Sequence, residues 1–291
     1  MKKLIWNTQK NSKSFWGEYH YTASSNWIFY LLEKIKYEIL EDLNQIKKSD
    51  EIIIVDSELN SKTSFYYDLS NKCSKIFLIH LGDEGGKEKT DFIYECCSHV
   101  WRTFCLGHFF NNNKVTCIPI GYKGGLITNK KKILEKKYLW SFIGTPHASS
   151  RYDLIFQNKK IEPNYIKFTS KFNSKDSLKI NEYSDAINDS KFLLCPNGYF
   201  HPETYRLYEA LECGSIPIVE NLYDYYDRLF PNNPLLKIKF WKEATETILF
   251  MNDNKKKLIE QSNICKNWWG DIKKKYQENF KLVIDNGQKK I

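Results

Sequence analysis

Residues 189–220 read DSKFLLCPNGYFHPETYRLYEALECGSIPIVE. The apolar run Lys191–Cys195 has the length and bulk of a buried strand, and it ends in a Pro196-Asn197-Gly198-Tyr199 turn. A polar loop follows. A helix then starts near Pro202 to Thr204, where proline suits the first turn, and Gly214 stops it after Cys213. Ile216–Val219 is the next buried strand. The segment is therefore one strand–helix–strand unit. The free N–H groups of the helix's first turn, together with its dipole, form an anion site. Arg206 lies in that turn, where a guanidinium can fork onto a diphosphate. Glu209 lies on the same helical face and can accept the two hydroxyls of a ribose. The plain alternative is a surface arginine with Glu209 as its ion-pair partner, since every α/β sheet contains such units.

The same alternation extends outward in both directions. Tyr138–Ile143 is a strand that ends on Gly144, and the helix beginning near Arg151 follows it; Tyr165–Thr169 is a further strand. Upstream, Lys3–Trp6, Glu51–Val55 (EIIIV), Lys75–Leu81 (KIFLIHL), His99–Cys105 and Lys114–Ile120 read as strands. Apolar residues at Trp27, Leu31, Ile35, Ile39 and Leu43 predict a helix over Asn26–Leu43. Gly121–Gly125 (GYKGG) and the lysine-rich stretch after it read as an interdomain linker. Two final helices are expected, Thr245–Ser262 and Asn263–Phe280, the last with a packing stripe at Cys265, Trp269, Ile272, Tyr276 and Phe280. Strands alternating with helices define an α/β fold, and 291 residues suit two domains.

Composition limits the function classes. No stretch approaches the ~18 apolar residues of a membrane helix, and Met1–Lys10 lacks the apolar run of a signal peptide. A cytoplasmic protein is expected, placed free or at the inner face of the membrane. The eight cysteines have no paired CxxC spacing, which argues against a zinc ribbon and predicts eight reduced thiols. The net charge of +9 is scattered in short lysine runs. That pattern argues against a nucleic-acid partner and suits a phosphate-bearing substrate or an anionic membrane surface.

The string CPNGY…TYRLYEALECGSIPIV resembles the signature of exostosin-type glycosyltransferases, carried here by Cys195, Pro196, Gly198, Thr204, Arg206, Glu209, Ala210, Gly214, Pro217 and Ile218. Tyr205, between Thr204 and Arg206, departs from the pattern, which often has the small or hydroxyl residue next to arginine. FIG at Phe142–Gly144 followed by Arg151, the segment HVWRTFC…VTCIPIGYKGG and the motif LIHLGDEGG resemble the same group more weakly. The resemblance implies a GT-B architecture, with two Rossmann-like domains facing a central cleft and a C-terminal helix crossing back to the first. The expected bounds are 1–126 for the acceptor domain, 127–268 for the donor domain and 269–291 for the helix. It also implies a nucleotide-sugar co-substrate, UDP-linked, bound by Gly144, Arg151, Pro196, Asn197, Gly198, Tyr199, Thr204, Arg206 and Glu209. Such enzymes mostly invert the anomeric centre and bind no metal, and no cofactor is expected. The sequence agrees in lacking a DxD flanked by apolar strands.

Inversion needs a base to take the acceptor hydroxyl's proton. Asp83 and Glu84 are the candidates, because they follow a buried strand and glycines flank them, with Asp56 a third. His80, within the strand, reads as a satisfied core residue. Arg102 interrupts an apolar strand and either reaches the cleft or pairs with a carboxylate of a neighbouring loop. His201 and Tyr205 are further cleft candidates, and Tyr199 can stack on a sugar or uracil. The expected acceptor is a hydroxyl of a glycan or lipid-linked glycan of a surface polymer. The alternatives are a fucosyltransferase-like enzyme using a GDP-sugar, and a non-catalytic sugar-binding protein. The last helix offers a second, weaker reading as a peripheral membrane contact.

Overall fold

A computed structural model of the chain describes residues 1–7, 23–129, 131–147, 149–171, 174–221 and 223–286. The side chain of Ser149 and residues 287–291 of the expected terminal segment lie outside that description. The chain divides into two units. The first holds, among described residues, 1–7, 28–120 and 273–286; the second holds 23–27 and 121–272.

The elements in chain order begin with β1 (Lys2–Trp6), α1 (Ser25–Leu32), β2 (Glu38–Ile39), β3 (Glu51–Asp56), α2 (Thr63–Lys72), β4 (Lys75–His80), α3 (Asp91–Cys96), β5 (His99–Arg102) and β6 (Val115–Cys117). The six strands form one parallel sheet in the order β2-β1-β3-β4-β5-β6. The runs EIIIV and KIFLIH are buried along almost their whole length, as strands covered on both faces must be. Register places Asp56 beside His80 and His80 beside Arg102, so three polar residues form a row at the carboxyl edge of an otherwise apolar sheet.

The second unit continues with β7 (Tyr138–Gly144), α4 (Ser149–Asn158), β8 (Asn164–Phe168), α5 (Ile180–Asn188), β9 (Ser190–Cys195), α6 (Tyr205–Glu212), β10 (Ile216–Glu220), α7 (Tyr225–Leu229), β11 (Leu236–Ile238), α8 (Trp241–Asp253) and α9 (Lys255–Asn286). Its five parallel strands run β11-β10-β9-β7-β8 over a core that includes Trp140, Phe142, Phe192, Leu194, Ile218 and Trp241. The chain leaves β7 for β8 on one side and then crosses to β9 on the other. The loops after β7 and β9 therefore diverge from a topological switch point, where open sheets of this kind hold ligands.

Several expected elements change. The helix over Asn26–Leu43 stops at Leu32, because Glu33 and Ile35 bond back to Tyr30 and Leu32 in tight turns and Leu40 then donates to Leu4 of β1. The strand beginning at His99 ends at Arg102, and Phe104 takes a left-handed φ of +50° that no strand tolerates. The strand expected over Lys114–Ile120 is reduced to Val115–Cys117. The break between the last helices falls at Asn254, whose side chain accepts from the Lys257 N–H, rather than at Asn263. Cys105 and Cys117 are joined, with Cα atoms 5.8 Å apart, so six thiols are free and not eight.

α9 serves both units. Up to Ile272 it packs in the second, where Trp269 stacks on Trp27 at 5.6 Å and donates Nε1 to Glu212 at 2.7 Å. From Lys273 it packs in the first, where Phe280 stacks on Trp101 at 4.1 Å and Asn279 accepts Trp101 Nε1 at 2.9 Å. Among the described residues no helix is long and apolar enough to cross a membrane.

The GYKGG segment is packed within the second unit, unlike the open linker its composition suggests. Gly121 has φ +69°, and a Cβ there would stand 2.2 Å from Trp27 Cγ. Trp27 is fully buried and cannot yield. Gly121→Ala should therefore cost roughly 2–4 kcal/mol, the sum of left-handed strain and overpacking. Urea denaturation of the variant checks this; an unchanged midpoint would contradict the contact.

Candidate functional site

The switch point carries the residues that the sequence singled out. Gly144 ends β7, and a Cβ there would lie 1.9 Å from Arg206 Nη2 and 3.0 Å from its Cζ. Only a glycine lets the guanidinium lie against the backbone. Arg206 Nε donates to Ile143 O at 2.7 Å, Nη1 donates to Thr204 Oγ1 at 3.1 Å, and the group lies over the Phe142 ring. Among the described residues Nη2 has no hydrogen-bond partner, which leaves it to take an anion. Thr204 is the N-cap of α6 in extended geometry, but its hydroxyl caps no backbone N–H. A guanidinium and an uncapped helix start thus converge beside a glycine, which suits a diphosphate.

The loop between β9 and α6 is pinned from beneath. Arg151 is buried, with Nη1 on Thr145 O and Nη2 on Asn197 O, both at 2.8 Å. In this structure its two terminal nitrogens tie the β7 loop to the β9 loop, where donor phosphates were expected. Glu220, which the sequence reading missed, ends β10 and accepts Ser150 Oγ at 2.5 Å and Asn197 N at 3.1 Å. His201 is buried, and its Nδ1 accepts the Glu203 N–H at 3.2 Å. Glu203, also missed, accepts hydroxyls from Tyr208 and, at 2.9 Å, Tyr225. Tyr205 places its hydroxyl 3.0 Å from Ser24 Oγ. Pro196 is buried, Gly198 half-buried, and Tyr199 exposed.

Glu209 is 1% exposed. It takes the Tyr183 hydroxyl and the Lys123 backbone N–H, so in this state its carboxylate faces protein where a ribose was expected. Burial pushes its carboxyl up, against the pull of Tyr183 and Lys123. Lys123 is itself buried and pushed down to about 8 by desolvation, against the Glu209 charge. Lys136 is likewise pushed down to about 8 by burial and donates to Asn188 O, Cys213 O and Ser215 Oγ, which secures the C-terminal ends of α5 and α6. No local signal marks Lys136, which stands in a lysine-rich stretch, whereas Lys123 stands out among glycines and apolar residues in IPIGYKGGLI.

These two lysines set a pH dependence. Their folded pKa values lie below the unfolded value of 10.5, so the unfolded chain binds more protons above pH 8 and stability rises with pH there. The buried thiols act in the opposite sense. Cys73 and Cys265 are raised to about 11 and Cys213 to about 12, each by burial, so their contribution is complete below 9.0 and is lost above it. Between pH 8 and 9 each lysine should add on the order of 1 kcal/mol, an increment that the six raised thiols offset, and above pH 10 the thiols dominate and stability falls. Lys136→Met should lower the slope of urea midpoint against pH from 8 to 9 relative to the wild type; equal slopes in the two would refute the assignment.

The row at the edge of the first sheet becomes a buried charge cluster. Arg102 is 0% exposed; its Nη2 donates to Asp83 Oδ2 at 2.5 Å, and its Nη1 reaches Tyr94 Oη and His80 Nδ1, each at 2.9 Å. His80 Nε2 lies 3.2 Å from Glu88 Oε2. Burial, then the Arg102 charge, lower the His80 pKa against the Glu88 pull, so His80 is neutral at pH 7. Burial pushes the Glu88 carboxyl up, but His80 and the Leu59 N–H outweigh it and the net shift is down. Asp83 has φ +55°, and its Oδ1 accepts Lys87 N at 2.6 Å and Glu88 N at 3.3 Å. Both of its oxygens are thus engaged in this structure, where they hold the loop. Glu84 is half-buried on the same loop. Asp56 is fully buried and holds Lys62, Tyr66, Asn7 and Ser57 N.

Two parallel-sheet α/β domains of this kind are the fold of solved GT-B structures to which the chain is similar. An α1,3-fucosyltransferase matches with TM-score 0.54 at 12% identity, over 99% of this chain and 91% of that one. T4 phage BGT in complex with UDP-glucose matches with TM-score 0.54 at 14%, over 98% and 100%. HepE of Anabaena in complex with UDP matches with TM-score 0.57 at 8%, over 98% and 99%. At such identities the likeness speaks for the fold. Residues 126–287 match the RXYLT1 C-terminal domain, more than half of the chain, and the protein belongs to that family. Human ribitol-5-phosphate xylosyltransferase 1 is 38% identical over 93 residues, which are 30% of this chain and 21% of that protein. Its Danio rerio counterpart is 23% identical over 176 residues, 54% of this chain and 40% of that protein. The matched segments thus span less than half the length of either relative. The fold is thus that of GT-B glycosyltransferases, and the family is that of the RXYLT1 C-terminal domain.

Proposed function

We propose that the chain transfers a sugar from a UDP-linked donor to a hydroxyl of a phosphate-bearing polyol or glycan, with inversion and without bound metal. The carrying observation is the seat of Arg206 against Gly144 at the uncapped start of α6. The T4 phage and Anabaena neighbours, bound to UDP-glucose and UDP, support a uridine donor, and the relatives' name supports a pentose and a phosphorylated polyol acceptor. The resemblance to exostosin-type enzymes rests on the same segment. In this reading the acceptor oxygen bonds to the anomeric carbon as that carbon's bond to the diphosphate breaks. Arg206 and the α6 start receive the charge that grows on the leaving diphosphate. Glu84 is assigned as the base that takes the acceptor proton, because Asp83 is committed to Arg102.

Thermal unfolding against uridine, guanosine and other nucleoside diphosphates, with and without EDTA, tests the reading. UDP at 100 times its dissociation constant should stabilise the fold by about 2.7 kcal/mol, and EDTA should not abolish this. A shift with GDP alone would favour a fucosyltransferase-like donor. No shift with any nucleotide would sink the donor-site reading. Nucleotide binding without sugar release from any UDP-sugar would favour the non-catalytic alternative.

A further inference from the structure

Among the described residues, the loops that part at the switch point of the second sheet present three exposed aromatic rings. His147 comes from the loop after β7, and Tyr199 and Phe200 come from the loop after β9. The His147 and Tyr199 rings meet at 4.9 Å, joining the two loops, and Tyr199 and Phe200 stand at 4.4 Å and 90° to each other. Tyr199 is 66% and Phe200 64% exposed. A single exposed ring needs no explanation. This group differs because the backbone beneath it is fixed by buried polar contacts at both ends, Arg151 and Glu220 on Asn197 and the Glu203 N–H on His201. A rigid loop that displays rings to solvent beside an anion seat has the form of a binding surface.

We infer that Tyr199 and Phe200, with His147 closing the side, form the seat for the transferred sugar of the donor. This deepens the donor-site reading and rests on it. Two rings at right angles offer one face and one edge, a corner that fits the C–H face and rim of a puckered sugar. A planar base calls for a slot between parallel faces. The sugar is also bonded directly to the terminal phosphate, whereas the base is separated from the phosphates by a ribose. A surface flanking the phosphate seat therefore meets the sugar first.

The test compares UDP with UDP-xylose and UDP-glucose by calorimetric titration, in the wild type, Tyr199→Ala/Phe200→Ala and Tyr199→Phe. The double variant should bind UDP within about twofold of the wild type and the preferred UDP-sugar roughly tenfold more weakly, about 1.4 kcal/mol. Tyr199→Phe, which keeps the ring, should retain wild-type affinity. Equal losses for UDP and UDP-sugar would place the rings on the nucleoside and overturn the inference, as would no loss for either. If the wild type binds no nucleotide at all, the donor-site reading itself has failed. Both side chains are exposed, so a failure to fold is not expected, and a melting curve of each variant verifies this.

Discussion

Arg206→Ala should weaken UDP binding by roughly ten- to hundredfold, because a charge-assisted contact to phosphate is worth about 1.5–3 kcal/mol. Nη2 has no partner to lose among the described residues, and loss of the bonds to Ile143 O and Thr204 Oγ1 costs the fold only about 1 kcal/mol net. The variant therefore separates binding from stability. Gly144→Ala is its steric counterpart: the new methyl would meet Arg206 Nη2 at 1.9 Å, so the guanidinium must leave its seat, and UDP affinity should fall in parallel while Arg206 remains. Titration with UDP and urea denaturation, run on both variants, decide the matter. Unchanged affinity in Arg206→Ala would show that the seat does not take phosphate.

Arg102→Ala should have the largest effect on stability, about 3–5 kcal/mol, because it strands the Asp83 carboxylate, itself 5% exposed, without its cation. It also removes the donor that reaches Tyr94 and His80, and it opens a void under Phe109, whose ring lies 4.5 Å from the guanidinium. Replacing both partners, Arg102→Leu with Asp83→Leu, should recover much of the loss, since an apolar pair carries no desolvation cost. Urea denaturation of the singles and the double measures the coupling. If Asp83→Asn left stability unchanged and abolished turnover alone, Asp83 would be restored as base and the anchoring role would fall.

The position of Arg102 shows how far a local reading reaches. An arginine inside an apolar strand is visible in the sequence as an anomaly, and a structural ion pair to a neighbouring loop is one of its two readings. Tyr94 and Glu88, which complete the cluster, carry no such mark because they lie on separate segments of ordinary composition. Glu209 shows the complementary limit. Its helical face can be inferred from spacing, but its burial against Tyr183 and Lys123 depends on how α5 and the GYKGG segment fold over α6.

The sequence by itself determined the class. Strands such as EIIIV and KFLLC, each followed by a helix, can be buried on both faces only in parallel α/β sheets, and two such series require two of them. It also marked the strand–loop–helix–strand unit around Arg206, since proline, glycine and apolar periodicity act over a few residues. Only the tertiary structure decided which distant residues meet: Gly144 with Arg206, Asp83 with Arg102, and Cys105 with Cys117. The physical reason is that periodicity reports whether a residue is buried and on which face, whereas its partner is set by strand order and register. In a parallel sheet those are fixed by crossovers that bring together positions tens of residues apart.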